Sequence, residues 1–526
     1  LLIASVNVSS LLLVRSESRK REIAVRGALG ASRIRLMRQF TTEGLALAGV
    51  GGLLGLIAAQ FAMQILTGFI SKDMMSGMPY LAGLGLNSHV VAFVIAISLG
   101  ATILFSITPM FRLSAKEIRE GLSEGGRGYA GTLWRRFGSN MVVVELAVAV
   151  VLLVSAGLLG KSLYRLLHVE VGFQPDHLAT LELQLSEVDY PKDPQQAEAA
   201  RKVLSRISNL PGVQSAGLTS VLPVSFNGNT TWIRIFGHSY NGEHNEVNER
   251  DVSSGFFNTI RARLLEGRQF TEFDDAARPR IAIINQTLAR KYFPGEDPIG
   301  KKIGDTALSP DSLRQVVGVV EDIRDGSLDA DIWPAIYFPF AQSPDTGFNL
   351  VVRTSQSEAS LLPAMVAAIH EVDPGMGTIN EMTMDSKINQ SPSAYLHRSA
   401  AWLVGGFACV ALLLGVVGLY GVIAYSVGRR TREIGVRIAL GAQRGAVYQL
   451  IMREAAWLAG IGIGVGLLCA VAAATLIRGL LFGVRSWDAG TLFAVAFVLA
   501  TFALLASYIP ARRAAKVDPM VALRYE

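Results

Sequence analysis

The chain has 526 residues, half of them hydrophobic, with a mean hydropathy of +0.36 and a formal net charge of +6. This composition is too apolar for a purely soluble protein of this length and predicts a membrane protein. The basic residues cluster beside apolar runs rather than among aromatic residues, which argues against nucleic-acid binding. Only Cys409 and Cys469 are present, both inside apolar runs, which excludes a disulfide framework or thiolate metal site and predicts packing roles.

Seven apolar segments follow one another along the chain. A spanning helix needs roughly 20 apolar residues, and six of the segments are complete while the first is partial. In order they are residues 1–13 (partial), 42–70, 90–111, 141–163, 400–427, 455–481 and 491–510. We therefore expect an α-helical membrane protein with about seven transmembrane helices.

A long polar region separates the fourth span from the fifth. Residues 181–185 alternate like a half-buried strand, and residues 197–210 have helical spacing before a Pro-Gly stop. Further predicted strands are residues 232–236, 281–284, 316–320 and 350–353, and further predicted helices are 286–292 and 358–371. Because Pro and Gly are spaced throughout, we expect one large mixed α/β domain of two small lobes.

One short segment occurs twice. Residues 21–33 read REIAVRGALGASR and residues 432–444 read REIGVRIALGAQR, with 10 of 13 positions identical at an offset of 411. An internal duplication is the simplest explanation. Each copy is basic and contains a Glu-Arg pair at i,i+4 spacing, followed by a glycine where a helix would end. These residues are Glu22, Arg26 and Gly30 in the first copy and Glu433, Arg437 and Gly441 in the second. We predict a short helix at the membrane surface, joined by a glycine corner to the next spanning helix.

The offset also predicts how the two halves correspond. Leu1 becomes equivalent to Leu412, which lies in the middle of a spanning segment, and no initiator Met is present. We therefore expect an N-terminally truncated fragment that begins inside a helix. The first unit then supplies three helices and the second supplies four.

The short connections predict the orientation in the lipid bilayer. Residues 15–38, 112–136, 429–453 and 511–526 together hold 24 Lys and Arg, whereas residues 71–87 and 482–488 hold only Lys72 and Arg485. Because basic connections stay inside, they and the C-terminus are predicted to be cytoplasmic. The large polar region is then extracytoplasmic.

The repeated Arg-Glu-Ile-x-Val-Arg-x-Ala-Leu-Gly-Ala segment after a spanning helix resembles the hallmark of FtsX-like, MacB-type ABC transporter permeases, here in a duplicated form. The order of helix, large outer domain and three helices is similar to the same family, as are residues 266–301 and the tail 512–524. The resemblance implies a multi-pass protein of the bacterial inner membrane with a large domain in the periplasm. It also implies mechanotransmission, in which a separate cytoplasmic ATPase moves the short helix and the outer domains follow.

This resemblance implies a division of the chain into six parts. They are residues 1–111, the last three transmembrane helices of the first FtsX-like unit; 112–140, a cytoplasmic basic linker; 141–163, the first transmembrane helix of the second unit; 164–398, a MacB-like periplasmic core domain; 399–510, the last three transmembrane helices of the second FtsX-like unit; and 511–526, a cytoplasmic tail.

The candidate site is the repeated segment, as an ATPase-coupling helix in each half. Its implied residues are Arg21, Glu22, Arg26, Leu29, Gly30, Arg432, Glu433, Arg437, Leu440 and Gly441. The alternative is a basic interfacial helix that only anchors to anionic lipid, but this needs neither the repeated Glu nor the repeated Leu-Gly-Ala corner. Glu43 and Glu454 also match at the 411 offset, as secondary ATPase contacts or as carboxylates favoured by the dipole at a helix start.

Other motifs predict no enzyme. Gly160-Lys161-Ser162 looks like the end of a phosphate-binding loop, but the glycine required five residues earlier is Ser155. The seven histidines show no HExxH or other metal-ligand spacing, and no nucleophile elbow occurs, so no cofactor, metal or catalytic residue is predicted. Glu145 lies one turn into a span, where we expect it to reach water rather than to couple protons.

Two functions from different classes remain. The first is a permease subunit for efflux or export of an unknown substrate, with a cytoplasmic ABC ATPase and a periplasmic adaptor as partners. The second is an envelope signalling or scaffold protein that activates a periplasmic partner such as a cell-wall hydrolase. A conventional transporter with a midplane site would need charged or broken helices, of which the apolar spans offer little.

Overall fold

The protein is described from a computed structural model that covers residues 33–68, 85–107, 130–440 and 442–516. Two compact units are present: a helical unit, which runs up to Leu163 and resumes at His397, and an outer unit, which contains Tyr164–Leu396. The helices are α1 (Arg33–Thr67), α2 (Ser88–Ile107), α3 (Ala130–Leu167), α4 (Asp193–Ser208), α5 (Phe256–Ile260), α6 (Gln286–Tyr292), α7 (Glu358–Val372), α8 (Met384–Asn389), α9 (Pro392–Arg429), α10 (Thr431–Ala439), α11 (Arg444–Leu476) and α12 (Ala489–Ala514). The strands are β1 (Leu178–Gln184), β2 (Val213–Thr219), β3 (Thr230–Trp232), β4 (Arg234–Ile235), β5 (Glu246–Val252), β6 (Leu264–Gly267), β7 (Ile281–Asn285), β8 (Lys302–Gly304), β9 (Arg314–Val320), β10 (Ala335–Pro339), β11 (Gly347–Thr354) and β12 (Gly377–Thr383).

Five helices within the described ranges are long and apolar enough to cross a membrane. Their apolar parts are Gly44–Ile65, Ser139–Leu167, Pro392–Gly428, Arg444–Leu476 and Ala489–Ala514. They match five of the predicted spans. The predicted span 90–111 falls on α2, whose described apolar part, Ser88–Gly100, is shorter. The partial span 1–13 lies outside the described residues.

The core of the helical unit is formed by α3, α9, α11 and α12. Val150, Leu158 and Ala455 are fully buried in it, while Leu468 and Phe493 on the outer faces are 76% and 74% exposed. Small residues let α3 and α11 approach closely, because a Cβ added at Gly466 would lie 2.7 Å from the Val150 Cβ. Apolar outer faces around a tightly packed interior are the arrangement expected of helices in lipid.

The outer unit contains one mixed sheet of 12 strands, in the order β12-β1-β11-β2-β5-β10-β7-β9-β8-β4, with β3 beside β5 and β6 beside β9. One hydrophobic cluster lies on the β1, β2 and β11 side with α4 and α7, and a second lies on the β5, β7, β9 and β10 side with α6. A single residue pair, Thr219 with Val252, joins β2 to β5. We call the two sides the first and second lobes. The predicted two lobes are therefore confirmed as two cores, although one sheet runs through both.

Most predicted elements of the outer unit are confirmed. The helix at 286–292 is found at its predicted bounds because Asn285 caps it, with its side chain accepting from the Leu288 amide at 2.9 Å. The prediction of one strand over 232–236 is wrong. The chain changes partner at Ile233, so β3 pairs with β5 and β4 pairs with β8.

Strand β5 escaped prediction because its sequence, EVNERDV, lacks an apolar alternation. Its polar side chains are nevertheless buried, with Asn248 and Arg250 each 1% exposed. Arg250 is held by Nη1 hydrogen bonds to the Gly228 and Glu249 carbonyls at 2.8 and 2.7 Å. Polar contacts made through the fold, rather than hydrophobic periodicity, place this strand at the centre of the sheet.

Candidate functional site

The second copy of the repeated segment forms the short helix α10. Only Arg430 separates it from α9, and it is followed after a short corner by α11. Ile434 is 4% exposed and packs in the core of the helical unit. Leu440 is 83% exposed, and Val436 is 39% exposed. The helix therefore has one anchored face and one face turned away from the core.

Glu433 and Arg437 lie on the exposed face of α10. Arg437 Nη2 donates to Glu433 Oε1 at 2.5 Å, and both side chains are about half exposed, at 52% and 51%. An exposed i,i+4 pair contributes only about 0.3–0.5 kcal/mol to helix stability. The structure thus confirms the helix and its internal ion pair, and it leaves two charged groups of opposite sign on an accessible surface.

The end of α10 has the hydrogen bonds of a tight turn. The Leu440 amide donates to the Val436 carbonyl and the Ala442 amide donates to the Arg437 carbonyl, both at 2.9 Å. The second bond is the six-to-one bond of a Schellman motif, which closes helices that end in a corner. Gly441 lies outside the described residues.

Glu454 contacts the junction between α9 and α10. Arg430 Nη1 donates to Glu454 Oε2 at 3.0 Å, and Ser426 Oγ donates to Glu454 Oε1 at 3.5 Å. The helix start proposed for Glu454 is wrong, because α11 begins ten residues earlier, at Arg444. Its carboxylate is therefore placed to hold the start of α10 rather than to neutralise a helix dipole.

The first copy of the segment falls largely outside the described residues, and so do its candidates Arg21, Glu22, Arg26, Leu29 and Gly30. The side chains of Arg432 and Glu43 are likewise outside the described ones. Helix α1 begins at Arg33, which is equivalent to Arg444 at the 411 offset. Glu43 thus also lies ten residues into its helix, so the dipole argument does not apply to it either.

The Gly160-Lys161-Ser162 motif has a structural task in the helical unit. Lys161 Nζ lies 2.7 Å from Asp488 Oδ1. Ser162 Oγ accepts from the Phe482 amide at 2.8 Å and donates to the Leu480 carbonyl at 3.4 Å. All three partners belong to the connection between α11 and α12. These contacts tie that connection to α3, which sequence reasoning missed because the partners are more than 300 positions apart.

Three residues of the spans lie differently from expectation. Glu145 is only 1% exposed, so the expectation that it reaches water is wrong. Ala149, one turn further along the same face of α3, is also fully buried. Cys409 and Cys469 are exposed on their helices, so they are not the packing residues predicted.

Comparison with known protein families gives two matches that together cover most of the chain. Residues 141–371 match the MacB-like periplasmic core domain. Residues 1–118 and 405–519 both match the FtsX-like permease C-terminal domain. The second model thus matches each half of the duplication separately.

Three curated proteins illustrate the relationship. The macrolide export ATP-binding/permease protein MacB of Marinobacter nauticus is 27% identical over 50% of this chain and 41% of its own length. The uncharacterized ABC transporter permease YknZ of Bacillus subtilis is 28% identical over 55% of this chain and 72% of its own. The pyoverdine export ATP-binding/permease protein PvdT of Pseudomonas aeruginosa is 28% identical over 61% and 47%. This chain therefore spans less than half of the two ATP-binding relatives.

The helical unit with its short amphipathic helix and the separate α/β unit correspond to these two family models. The chain belongs to the FtsX-like ABC transporter permeases with a MacB-like periplasmic core domain.

Proposed function

We propose that this chain is the membrane subunit of an exporter that works by mechanotransmission, driven by an ABC ATPase on a separate cytoplasmic chain. The main support for the proposal is the exposed face of α10, on which Glu433, Arg437 and Leu440 lie. Ile434 anchors the same helix in the core of the helical unit. The repeated segment 21–33 would serve the same ATPase in the other half. The basic connections would then face the cytoplasm, and the outer unit the periplasm of the inner membrane.

The contacts around α10 suit the transmission of a push. Since only Arg430 separates α10 from α9, and Glu454 holds Arg430, a displacement of α10 moves the neighbouring helices instead of bending the junction. The close packing of α11 on α3 at Gly462 and Gly466 carries the movement to α3. α3 and α9 are the two helices that continue into the outer unit.

The proposal assigns ATP hydrolysis to a separate chain because the sequence printed here contains no complete phosphate-binding loop. The sequence most similar to such a loop is Gly160-Lys161-Ser162. There, Lys161 pairs with Asp488 and Ser162 bonds to the α11–α12 connection. Two relatives are named for export, of a macrolide and of pyoverdine, which supports efflux or export as the activity.

Site-specific photo-crosslinking tests the proposal in intact cells. A photoreactive amino acid replaces Leu440, which is 83% exposed, and as a matched control it replaces Leu476, which is 87% exposed at the far end of α11. These positions are separated by a helix about 50 Å long. We expect an ABC ATPase to be captured from Leu440 and not from Leu476. Capture of lipid alone at Leu440, or of the ATPase equally at both positions, would refute the coupling role.

A charge swap tests whether the captured contact matters. The double variant Glu433→Arg with Arg437→Glu keeps an ion pair within α10 but reverses both charges presented to the ATPase. We expect at least a tenfold loss of ATP-dependent export with the helical fold retained, as measured by the melting temperature. Unchanged export in this variant would contradict the proposal.

A further inference from the structure

The segment that joins α3 to the sheet of the outer unit is held by both lobes. The Arg324 amide, from the second lobe, donates to the Val171 carbonyl at 3.0 Å. The Gln174 amide donates to the Ile260 carbonyl of α5 at 2.9 Å. Gly172, with φ +79°, lies so close to the backbone that an added Cβ would be 1.9 Å from the Asp322 carbonyl oxygen. A chain packed this tightly behaves as part of the domain rather than as a flexible tether.

Arg353 is the side chain that fastens this segment. It lies on β11 and is 3% exposed. Its Nη2 donates to the Gln174 carbonyl and its Nη1 to the Asp176 carbonyl, both at 2.7 Å. Its Nε donates to the Thr259 carbonyl of α5, also at 2.7 Å. One guanidinium thus connects the segment, α5 and the sheet.

The chemistry of this contact requires arginine. A buried cation is costly unless its donors are satisfied, and here the guanidinium donates to three backbone carbonyls rather than to a carboxylate. The planar fork of a guanidinium reaches three separate acceptors, whereas the compact ammonium of lysine acts as a point charge. The next residue, Thr354, adds a backbone bond from its amide to the His177 carbonyl at 3.0 Å.

We propose that Arg353 is the positioning residue through which displacement of α3 reaches the outer sheet. The segment is bonded to α5 and to β11 of the first lobe on one side and to Arg324 of the second lobe on the other. The lobes are joined in the sheet by only one residue pair between β2 and β5. A pull on the segment is therefore delivered at the junction of the lobes, where it changes their separation. This inference rests on the proposed function for the movement of α3, but the attachment itself is independent of ATP.

The attachment is tested first without ATP. The full chain, with Cys409→Ala and Cys469→Ala, carries spin labels at Tyr164→Cys on α3 and Lys202→Cys on α4 in lipid nanodiscs. Tyr164 is 63% exposed and the Lys202 side chain 61% exposed. Double electron–electron resonance should give a narrow distribution of distances between the two labels. The width of this distribution should increase at least twofold in Arg353→Met and by a smaller factor in Arg353→Lys.

The matched control is Arg206→Met, which removes an arginine that links α4 to Glu371 on α7 at the surface of the same unit. It should leave the distribution unchanged. If Arg353→Met does not fold, the milder Arg353→Lys decides the outcome. A distribution as narrow as that of the unsubstituted chain in a folded Arg353 variant would overturn the proposal.

The second arm adds the captured ATPase, ATP and vanadate, with labels at Lys202→Cys and Arg290→Cys on the two lobes. We expect a shift of the distance in the otherwise unsubstituted chain and a smaller shift in Arg353→Lys, while ATP hydrolysis continues. A full shift in Arg353→Lys would refute the role of this residue. If the distance between the labels does not shift in the chain that keeps Arg353, the result would instead count against the proposed function. The width of the distance distribution measured without ATP would then still show whether Arg353 attaches the segment.

Discussion

Lys161 on α3 and Asp488, the residue that caps α12, form an ion pair with 2.7 Å between Nζ and Oδ1. The other carboxylate oxygen, Oδ2, accepts from the Thr491 amide at 3.0 Å and the Thr491 hydroxyl at 2.7 Å. Asp488 therefore serves two purposes at once, because it begins one helix and attaches that beginning to another. Removal of its charge should loosen both.

The first prediction concerns acid stability. The Lys161 ammonium, with the Thr491 donors, lowers the pKa of Asp488 to about 2. Since the pKa in the folded state lies below the ordinary value of about 4, this stabilisation is present above pH 4 and is lost as the pH falls towards 2. Asp488→Asn, which keeps a capping side chain, should lower the melting temperature at pH 7, with a difference that narrows between pH 4 and pH 2.

Two companion variants separate the ion pair from the cap. Lys161→Met should behave like Asp488→Asn. Asp488→Ala should cost a further ~1 kcal/mol, the usual contribution of a helix cap. Equal melting temperatures for the Asn and Ala variants would show that the cap contributes nothing.

The second prediction concerns the ion pair between Arg430 and Glu454 at the start of α10. Glu454→Ala leaves Arg430 without the carboxylate at 3.0 Å, and hydrogen bonds to charged groups contribute about 1.5–3 kcal/mol. We expect amide hydrogen exchange across Thr431–Ala439 to accelerate roughly tenfold. Glu433→Gln, which breaks only the exposed pair with Arg437, should accelerate exchange about twofold at most. If both variants behave alike, Glu454 does not hold the helix.

The third prediction uses two glycines on one helix. A Cβ at Gly466 would lie 2.7 Å from the Val150 Cβ and 2.9 Å from the Ala147 Cα, whereas a Cβ at Gly464 would meet no atom within 4 Å. Gly466→Ala should therefore destabilise the helical unit by about 1–3 kcal/mol through overpacking. Gly464→Ala should be neutral or stabilising, because alanine favours the helix. Thermal unfolding in detergent with a tryptophan readout measures both, and a stable Gly466→Ala protein would contradict the close approach of α3.

The fourth prediction concerns a buried carboxyl group in the outer unit. Burial, reinforced by the Glu249 carboxyl, raises the pKa of Asp251 to about 7, although a Ser343 hydrogen bond and the Arg314 charge oppose the shift. A raised pKa in the folded state means that this group stabilises the fold at low pH, and that the contribution is lost as the pH rises towards 7. Asp251→Asn should raise the melting temperature at pH 8 and leave it nearly unchanged at pH 4.

The control for this variant is Asp274→Asn, since hydrogen bonds from Arg268 and Thr271 outweigh burial and lower the pKa of Asp274. Asp274→Asn should lower the melting temperature at neutral pH, whereas Asp251→Asn should raise it. The same sign of change in both variants at pH 8 would argue against the assigned environments.

The class of the protein, the internal duplication and most local elements could be predicted from patterns of residues close together in the chain. Long apolar runs, the 13-residue repeat and the helical spacing of residues 286–292 involve residues close together in the chain, so their spacing is enough to identify them. The amphipathic α10 with its Glu433–Arg437 pair belongs to the same group. Helical periodicity and capping depend on residues close together in the chain, so they do not depend on where the segment packs.

The partners of the isolated charged side chains, in contrast, are known only from the folded protein. Lys161 meets Asp488 across 327 positions, and Arg353 meets Gln174 across 179. Arg430 holds Glu454, a residue assigned from sequence to a helix start. The strand EVNERDV lies at the centre of the sheet because its buried polar groups find partners in the loop between β2 and β3. Such pairings depend on how distant segments are folded together, and a long polar side chain gives no indication in its own neighbourhood of which partner it will find.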